Sequence, residues 1–231
     1  MRIELVEATL SETERSTMRL RELHAMLHNC SRCPLKASRT RVVFGGGAPD
    51  APVMVVTTAP SWFEDFEGKV AANEGGNLMA RAAVSAGLEL RRDLYVTHLV
   101  KCLRPKVKKE DGTEERAPVT DEQVGACRPF LLAQMAAVRP ALVVLQGRDA
   151  NRHLLGDVRT FNKYTGHWRT FTYDKTREAL VLSTHNPYGL MGERAALQGE
   201  YFDHWRGVAE RLHLYGRLRR PDAAVFKGAR G

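Results

Sequence analysis

Four cysteines, Cys30, Cys33, Cys102 and Cys127, are the residues whose chemistry is most readable from type and spacing, and they are the only cysteines in the chain. Cys30 and Cys33 form one Cys-x-x-Cys turn followed by Pro34; the other two stand far downstream. The chain starts Met-Arg-Ile-Glu-Leu-Val-Glu, without the apolar stretch of an export signal. A wide cysteine set in such a chain points to a metal or iron–sulfur site rather than to disulfides. Four thiolates suit Zn²⁺ as well as an iron–sulfur cluster. A reducing cytoplasm is the expected compartment.

A second group of reactive side chains stands where short apolar runs end. Thr57 to Asp65 follow Val53-Met-Val-Val, and His98 closes Leu94-Tyr-Val-Thr. Gln146-Gly147 follow Leu142-Val-Val-Leu, and His185-Asn186-Pro187 follow Ala179-Leu-Val-Leu-Ser. A neutral imidazole at His98 offers one donor and one acceptor, and it can titrate near neutrality as acid or base.

The elements that must position these residues alternate. The four apolar runs are short and β-branched, as buried strands are. Helices are expected over 11–29, where Ser11 and Glu14 make a capping box, over 77–86, from Thr120 to Val138 with a second box at Thr120 and Gln123, around Ala150 to Leu155, and from Gln198 to Leu214. The charged segment Lys106 to Val119, with Gly112 and Pro118, reads as a surface loop. Strands alternating with helices imply an α/β fold, a three-layer α/β/α domain on a central four-stranded parallel sheet. Ligands bind such sheets at the carboxyl ends of the strands, which is where the polar residues converge.

The 231 residues are 43% hydrophobic and carry a net charge of +8. That length suits one domain, here residues 1–215, with a basic tail over 216–231 that holds Arg217, Arg219, Arg220, Lys227 and Arg230. A strongly basic balance favours nucleic acid as partner. No apolar run is long enough to span a bilayer, so no membrane partner is expected. Nothing signals an oligomer, so a monomer is the default.

Taken in order, these pieces resemble the iron–sulfur (family 4) branch of the uracil-DNA glycosylase superfamily, from about Leu23 to Leu214. Cys30-x-x-Cys33-Pro34-Leu35 with Arg39 is similar to its first cluster segment. Ala59-Pro60 with Glu64-Asp65-x-x-Gly68 is similar to its G-E-A-P-G-x-x-E-D-x-x-G motif. Tyr95 to Cys102 resembles Y-I-T-N-V-V-K-C, and Thr184 to Met191 stands in place of T-Y-H-P-A-Y-L-L. The resemblance implies a DNA glycosylase that flips a nucleotide out of the stack and cleaves its N-glycosidic bond, with a [4Fe–4S] cluster on Cys30, Cys33, Cys102 and Cys127.

Four family positions differ. Thr58 replaces the Glu of G-E-A-P-G, and Asp65 is the preferred substitute charge, ahead of Glu64. Ala71 takes the place of the Phe that stacks on the base, leaving Trp62 or Phe63 as alternative stackers. His98 replaces the Asn that reads the base edge. Asn186 occupies the slot of the His that stabilises the leaving base, with His185 one residue earlier. Ser61 and Ala71 together imply a roomy pocket, hence a modified or 5-substituted pyrimidine such as modified cytosine in viral DNA; an ordinary uracil-DNA glycosylase and a catalytically weak DNA-binding protein are the alternatives. Leu190 and Met191 fall in the loop expected to wedge into DNA.

Overall fold

The computed structural model describes residues 10–156, 164–192 and 194–219. The first nine residues lie outside it, as do Arg220, Lys227 and Arg230 of the basic tail.

The helices are α1 (Glu12–Leu27), α2 (Trp62–Glu67), α3 (Glu74–Ser85), α4 (Leu90–Asp93), α5 (Asp121–Val138), α6 (Arg148–Leu155) and α7 (Gln198–Arg219). The strands are β1 (Gly46–Gly47), β2 (Val53–Thr57), β3 (Leu94–His98), β4 (Lys106–Lys108), β5 (Glu114–Arg116), β6 (Leu142–Gln146), β7 (Trp168–Asp174) and β8 (Arg177–Thr184).

The main sheet runs in the order β1-β3-β2-β6-β8-β7. Its four central strands are parallel, as expected, but two antiparallel edge strands make it a mixed six-stranded sheet. β1 is two glycines, and β7 alternates partly covered with exposed side chains, so neither carries an apolar run.

The centre reads clearly because both faces are covered. Met54, Val56, Tyr95, Val143 and Leu145 face one core with α1 and α5. Val53, Val55, Leu94, Val96, Leu142 and Val144 face the other, with α3 and α7. The capping boxes at Ser11/Glu14 and Thr120/Gln123 both form. The segment expected as a surface loop folds into the β4–β5 hairpin, turning at Asp111-Gly112. α7 continues past Leu214 to Arg219, so the basic tail begins inside the helix.

The chain leaves β2 toward β3 on one side, and β6 pairs on the other. The carboxyl ends of β2 and β6 therefore flank the topological switch point, where open α/β sheets leave a crevice.

Candidate active site

The loop Thr57–Ser61 leaves β2 at that switch point and rests on the chain that continues β3. Thr57 O accepts from Leu99 N at 2.7 Å, and Thr58 O from Val100 N at 3.1 Å. Ser61 then caps α2 in a third capping box: its Oγ accepts from Glu64 N, and Glu64 Oε2 accepts from Ser61 N at 2.8 Å.

Glu64 does more than cap. Its Oε1 accepts from Ala71 N at 2.7 Å, and its Oε2 from Asn73 Nδ2 at 2.9 Å. The buried carboxylate thus ties together the β2 loop, the 68–73 turn and the start of α3. Ala71 is held there with φ of 57°, and its backbone lies against α3 at Gly76. A Cβ on Gly76 would stand 2.1 Å from Ala71 O, so only glycine admits this approach.

His98 closes β3 with its ring fully buried. Nδ1 is hydrogen-bonded to Thr57 Oγ1, and Nε2 stands 3.5 Å from Glu64 Oε1 without a hydrogen bond. Burial pulls its pKa down to about 4; Glu64 opposes that shift and Lys101 adds to it. The expectation of titration near neutrality is therefore corrected: desolvation holds the ring neutral at physiological pH. Lys101, also buried, donates to Thr97 Oγ1 at 2.7 Å and to His98 O at 2.5 Å.

Asp65, the preferred substitute carboxylate, points elsewhere. It accepts from Thr40 N at 2.8 Å and from Arg41 N at 3.3 Å, fixing the segment after the first cysteine pair. Glu64, its neighbour, is the carboxylate beside His98. Ser61-x-x-Glu64 is a capping-box pattern in the sequence, like those at Ser11 and Thr120, and it fixes Glu64 at the start of α2.

At the end of β8 the three polar residues diverge. Thr184 Oγ1 meets His204 Nδ1 at 2.8 Å under α7. His185 Nε2 lies 3.2 Å from Glu200 Oε1, also on α7, and its ring stacks on His204. Asn186 turns outward and caps the short turn Pro187–Leu190, its Oδ1 accepting from Tyr188 N at 3.1 Å. It sits over Gly147 at the tip of β6, where a Cβ would come within 3.2 Å of Asn186 Cβ. With Oδ1 engaged, Nδ2 remains as its donor. Glu200 and His204 were not anticipated, because nothing local in α7 marks them.

Two expected substrate contacts are placed differently. Leu190 is core, packed with residues of α3 and α7, while Tyr188 and Met191 project. Trp62 faces solvent and stacks on Phe66 instead of lining the pocket. Thr58 is buried and Ser61 half-buried at the loop.

The four cysteines are free; Cys102 and Cys127 are buried, and Cys30 and Cys33 pack against the same core. Burial pushes the Cys102 thiol up to about 11. Arg39 opposes that shift, while Cys127 and Cys33 add to it. Cys127 is likewise raised, by burial first and also by Cys33 and Cys30, so the four sulfurs share one electrostatic neighbourhood. Arg39 Nη1 donates to Cys102 Sγ at 3.3 Å and Nη2 to Cys30 O at 2.6 Å, supplying positive charge to that neighbourhood. Among the described residues, no group of three or more His, Cys, Asp or Glu forms a ready single-ion site. No helix among them is long and apolar enough to cross a membrane.

Comparison with known proteins agrees with this geometry. A sequence model of the uracil DNA glycosylase superfamily matches residues 44–207. A type-4 uracil-DNA glycosylase of Pyrobaculum aerophilum is 34% identical over 154 residues, 62% of this chain and 72% of that protein. One from Sulfurisphaera tokodaii is 30% identical over 69% of this chain and 70% of its own length. One from Archaeoglobus fulgidus is 27% identical over 79% and 87%. With the parallel centre of its mixed sheet and the family match over most of its length, the chain belongs to the uracil DNA glycosylase superfamily.

Proposed function

We propose that this member of the superfamily removes an enlarged pyrimidine, one substituted at C5, from DNA. Membership makes it a DNA glycosylase: water adds at the sugar C1′, the N-glycosidic bond breaks, and the base leaves with the bonding electrons before taking up a proton. Such a reaction needs a flipped nucleotide, a reader for the base edge and a donor for the developing base anion.

The observation that carries the reading is the small size of Ser61 and Ala71, two residues tied to Glu64. Ala71 stands where the family has a ring that stacks on the base, and Ser61 where classical members have a Tyr and family 4 a Gly; the backbone N–H groups of both donate to Glu64. Asn186 Nδ2 supports the role of donor to the leaving base, because its Oδ1 is already used by Tyr188 N. His185, drawn toward Glu200, is the less suited of the two. His98 Nε2 is a buried nitrogen without a hydrogen bond, a state that costs about 1–3 kcal/mol. A base edge docking there would remove that cost. Glu64, rather than Asp65, would supply negative charge beside the site in place of the missing carboxylate at Thr58.

The cysteine set fits an iron–sulfur cluster: four free thiols in one core, with Arg39 donating to one sulfur. Cys30, Cys33, Cys102 and Cys127 would hold a [4Fe–4S] group, whose contribution is structural. It would brace the end of α1, the chain after β3 and α5.

Purified protein is incubated with uracil-containing oligonucleotides and with genomic DNA bearing hypermodified pyrimidines, and released base and abasic sites are scored. Release from the modified DNA is expected, and Asn186→Ala should slow it by about 10²–10³-fold. Release of uracil alone would establish the second reading, an ordinary uracil-DNA glycosylase, which the names of the relatives favour. DNA binding with no release from any substrate would reduce the protein to a binding module.

A further inference from the structure

Helix α2 is amphipathic in the wrong sense. Its two consecutive carboxylates, Glu64 and Asp65, are buried, and its three aromatic rings point to solvent. Trp62 is 59% exposed, Phe63 47% and Phe66 53%. The rings are ordered against one another. Trp62 and Phe66, one helical turn apart, stack with centroids 5.6 Å apart and planes 14° from parallel, and Phe63 tilts against Trp62 at 6.3 Å. A soluble domain rarely leaves such a contiguous apolar face open without a use for it.

The position of the face identifies its occupant. Ser61, the cap of α2, belongs to the loop at the switch point, and Glu64 on the inner side of the same helix faces His98. The aromatic face is therefore the outer wall of the active site. Two cations and one carboxylate flank it: the exposed Arg41 side chain donates to Phe66 O at the end of the helix, half-buried Glu67 follows Phe66, and exposed Lys69 follows Gly68. Flat rings beside cations match unstacked bases on a phosphate chain. A fully paired duplex offers its bases only as edges, so it cannot use such rings.

From this we infer that Trp62 and Phe66 form a stacking platform for an unpaired base next to the extruded nucleotide, giving the enzyme a preference for single-stranded or locally opened DNA. The inference rests on the glycosylase reading for its choice of DNA, yet binding tests it without any excision.

The test measures the affinity of the full-length protein for a labelled single-stranded oligonucleotide and for its fully paired duplex. The wild type should prefer the single strand. The double variant Trp62→Ala, Phe66→Ala should bind the single strand about 10- to 100-fold more weakly and the duplex less than about 3-fold more weakly, from the usual worth of base–aromatic stacking. Trp62→Phe should keep most of the affinity. It should also abolish the tryptophan fluorescence quenching by the oligonucleotide, because Trp205 is buried and Trp168 is covered by Arg211. Equal losses on both DNA forms, or no loss on either, would overturn the inference. So would a wild-type dimer that the double variant turns into a monomer with DNA binding intact, since the face would then be a protein interface. If the wild type binds DNA as described but releases no base, the glycosylase reading fails and the platform stands.

Discussion

Replacing His98 by Asn isolates the cost of holding an imidazole in the dry floor of the site. The ring is fully buried, with Thr57 on Nδ1, Glu64 near Nε2 and Lys101 bonded to its carbonyl. Burial draws its pKa from 6.5 down to about 4. Between those values the unfolded chain binds the proton and the folded one does not, so stability rises with pH through the window and falls on acidification. The difference of two and a half units is worth about 3 kcal/mol in full. Roughly 2 kcal/mol of that is lost by pH 5, where the wild type still holds most of its His98 neutral. His98→Asn carries no such penalty. The stability gap between wild type and variant should therefore shift by about 2 kcal/mol in favour of the variant between pH 7.5 and pH 5, read as a Tm difference. All other titrating groups are common to both proteins and cancel to first order. The imidazole resonance missing from the variant identifies His98 directly, and in the wild type it should stay flat from pH 8 to about pH 5. A midpoint near 6.5, with a stability gap independent of pH, would refute the reasoning.

Glu64→Ala removes the acceptor for Ser61 N, Ala71 N and Asn73 Nδ2 together, and should cost about 3 kcal/mol or more in thermal or urea unfolding. Ala71→Phe places a ring at the pocket mouth; release of a 5-substituted base should fall at least about 10-fold, relative to plain uracil, in a competition assay. If the cysteines hold the proposed cluster, the wild type is brown and carries iron, and Cys102→Ser, which removes the sulfur that Arg39 contacts, should lose both and unfold at lower temperature.

How much of this was legible in the sequence depended on burial. β2 and β6 are apolar along almost their whole length, and β3 over its first three residues, because helices cover both faces, and such runs announce themselves. β7 sits at an edge, where Trp168-Arg-Thr-Phe-Thr-Tyr-Asp mixes polarity, and β1 has no side chains to read. The β4–β5 hairpin is held by ion pairs such as Lys106–Glu114 and not by a core, so its charges read as loop even though Asp111-Gly112 is a turn signal.

The site was legible as a place but not as a set of directions. Strand ends and motif order propose Thr58, His98 and Asn186 as one crevice. Which way a side chain turns depends on its tertiary partners: Thr40 for Asp65 and Glu200 for His185, both on other elements. Helix α2 joins these two kinds of information. Its capping box demands Glu64 at the third position, and the resulting rotation buries Glu64 and Asp65, leaving Trp62, Phe63 and Phe66 outside. A helix that met only the needs of stability would place the rings inside, where each contributes about 1.5–3 kcal/mol by burial, and the carboxylates in water. The reversal is sustained because every buried carboxylate oxygen on α2 has backbone or side-chain donors, so the cost of the inward charges is offset while the rings remain available to a ligand.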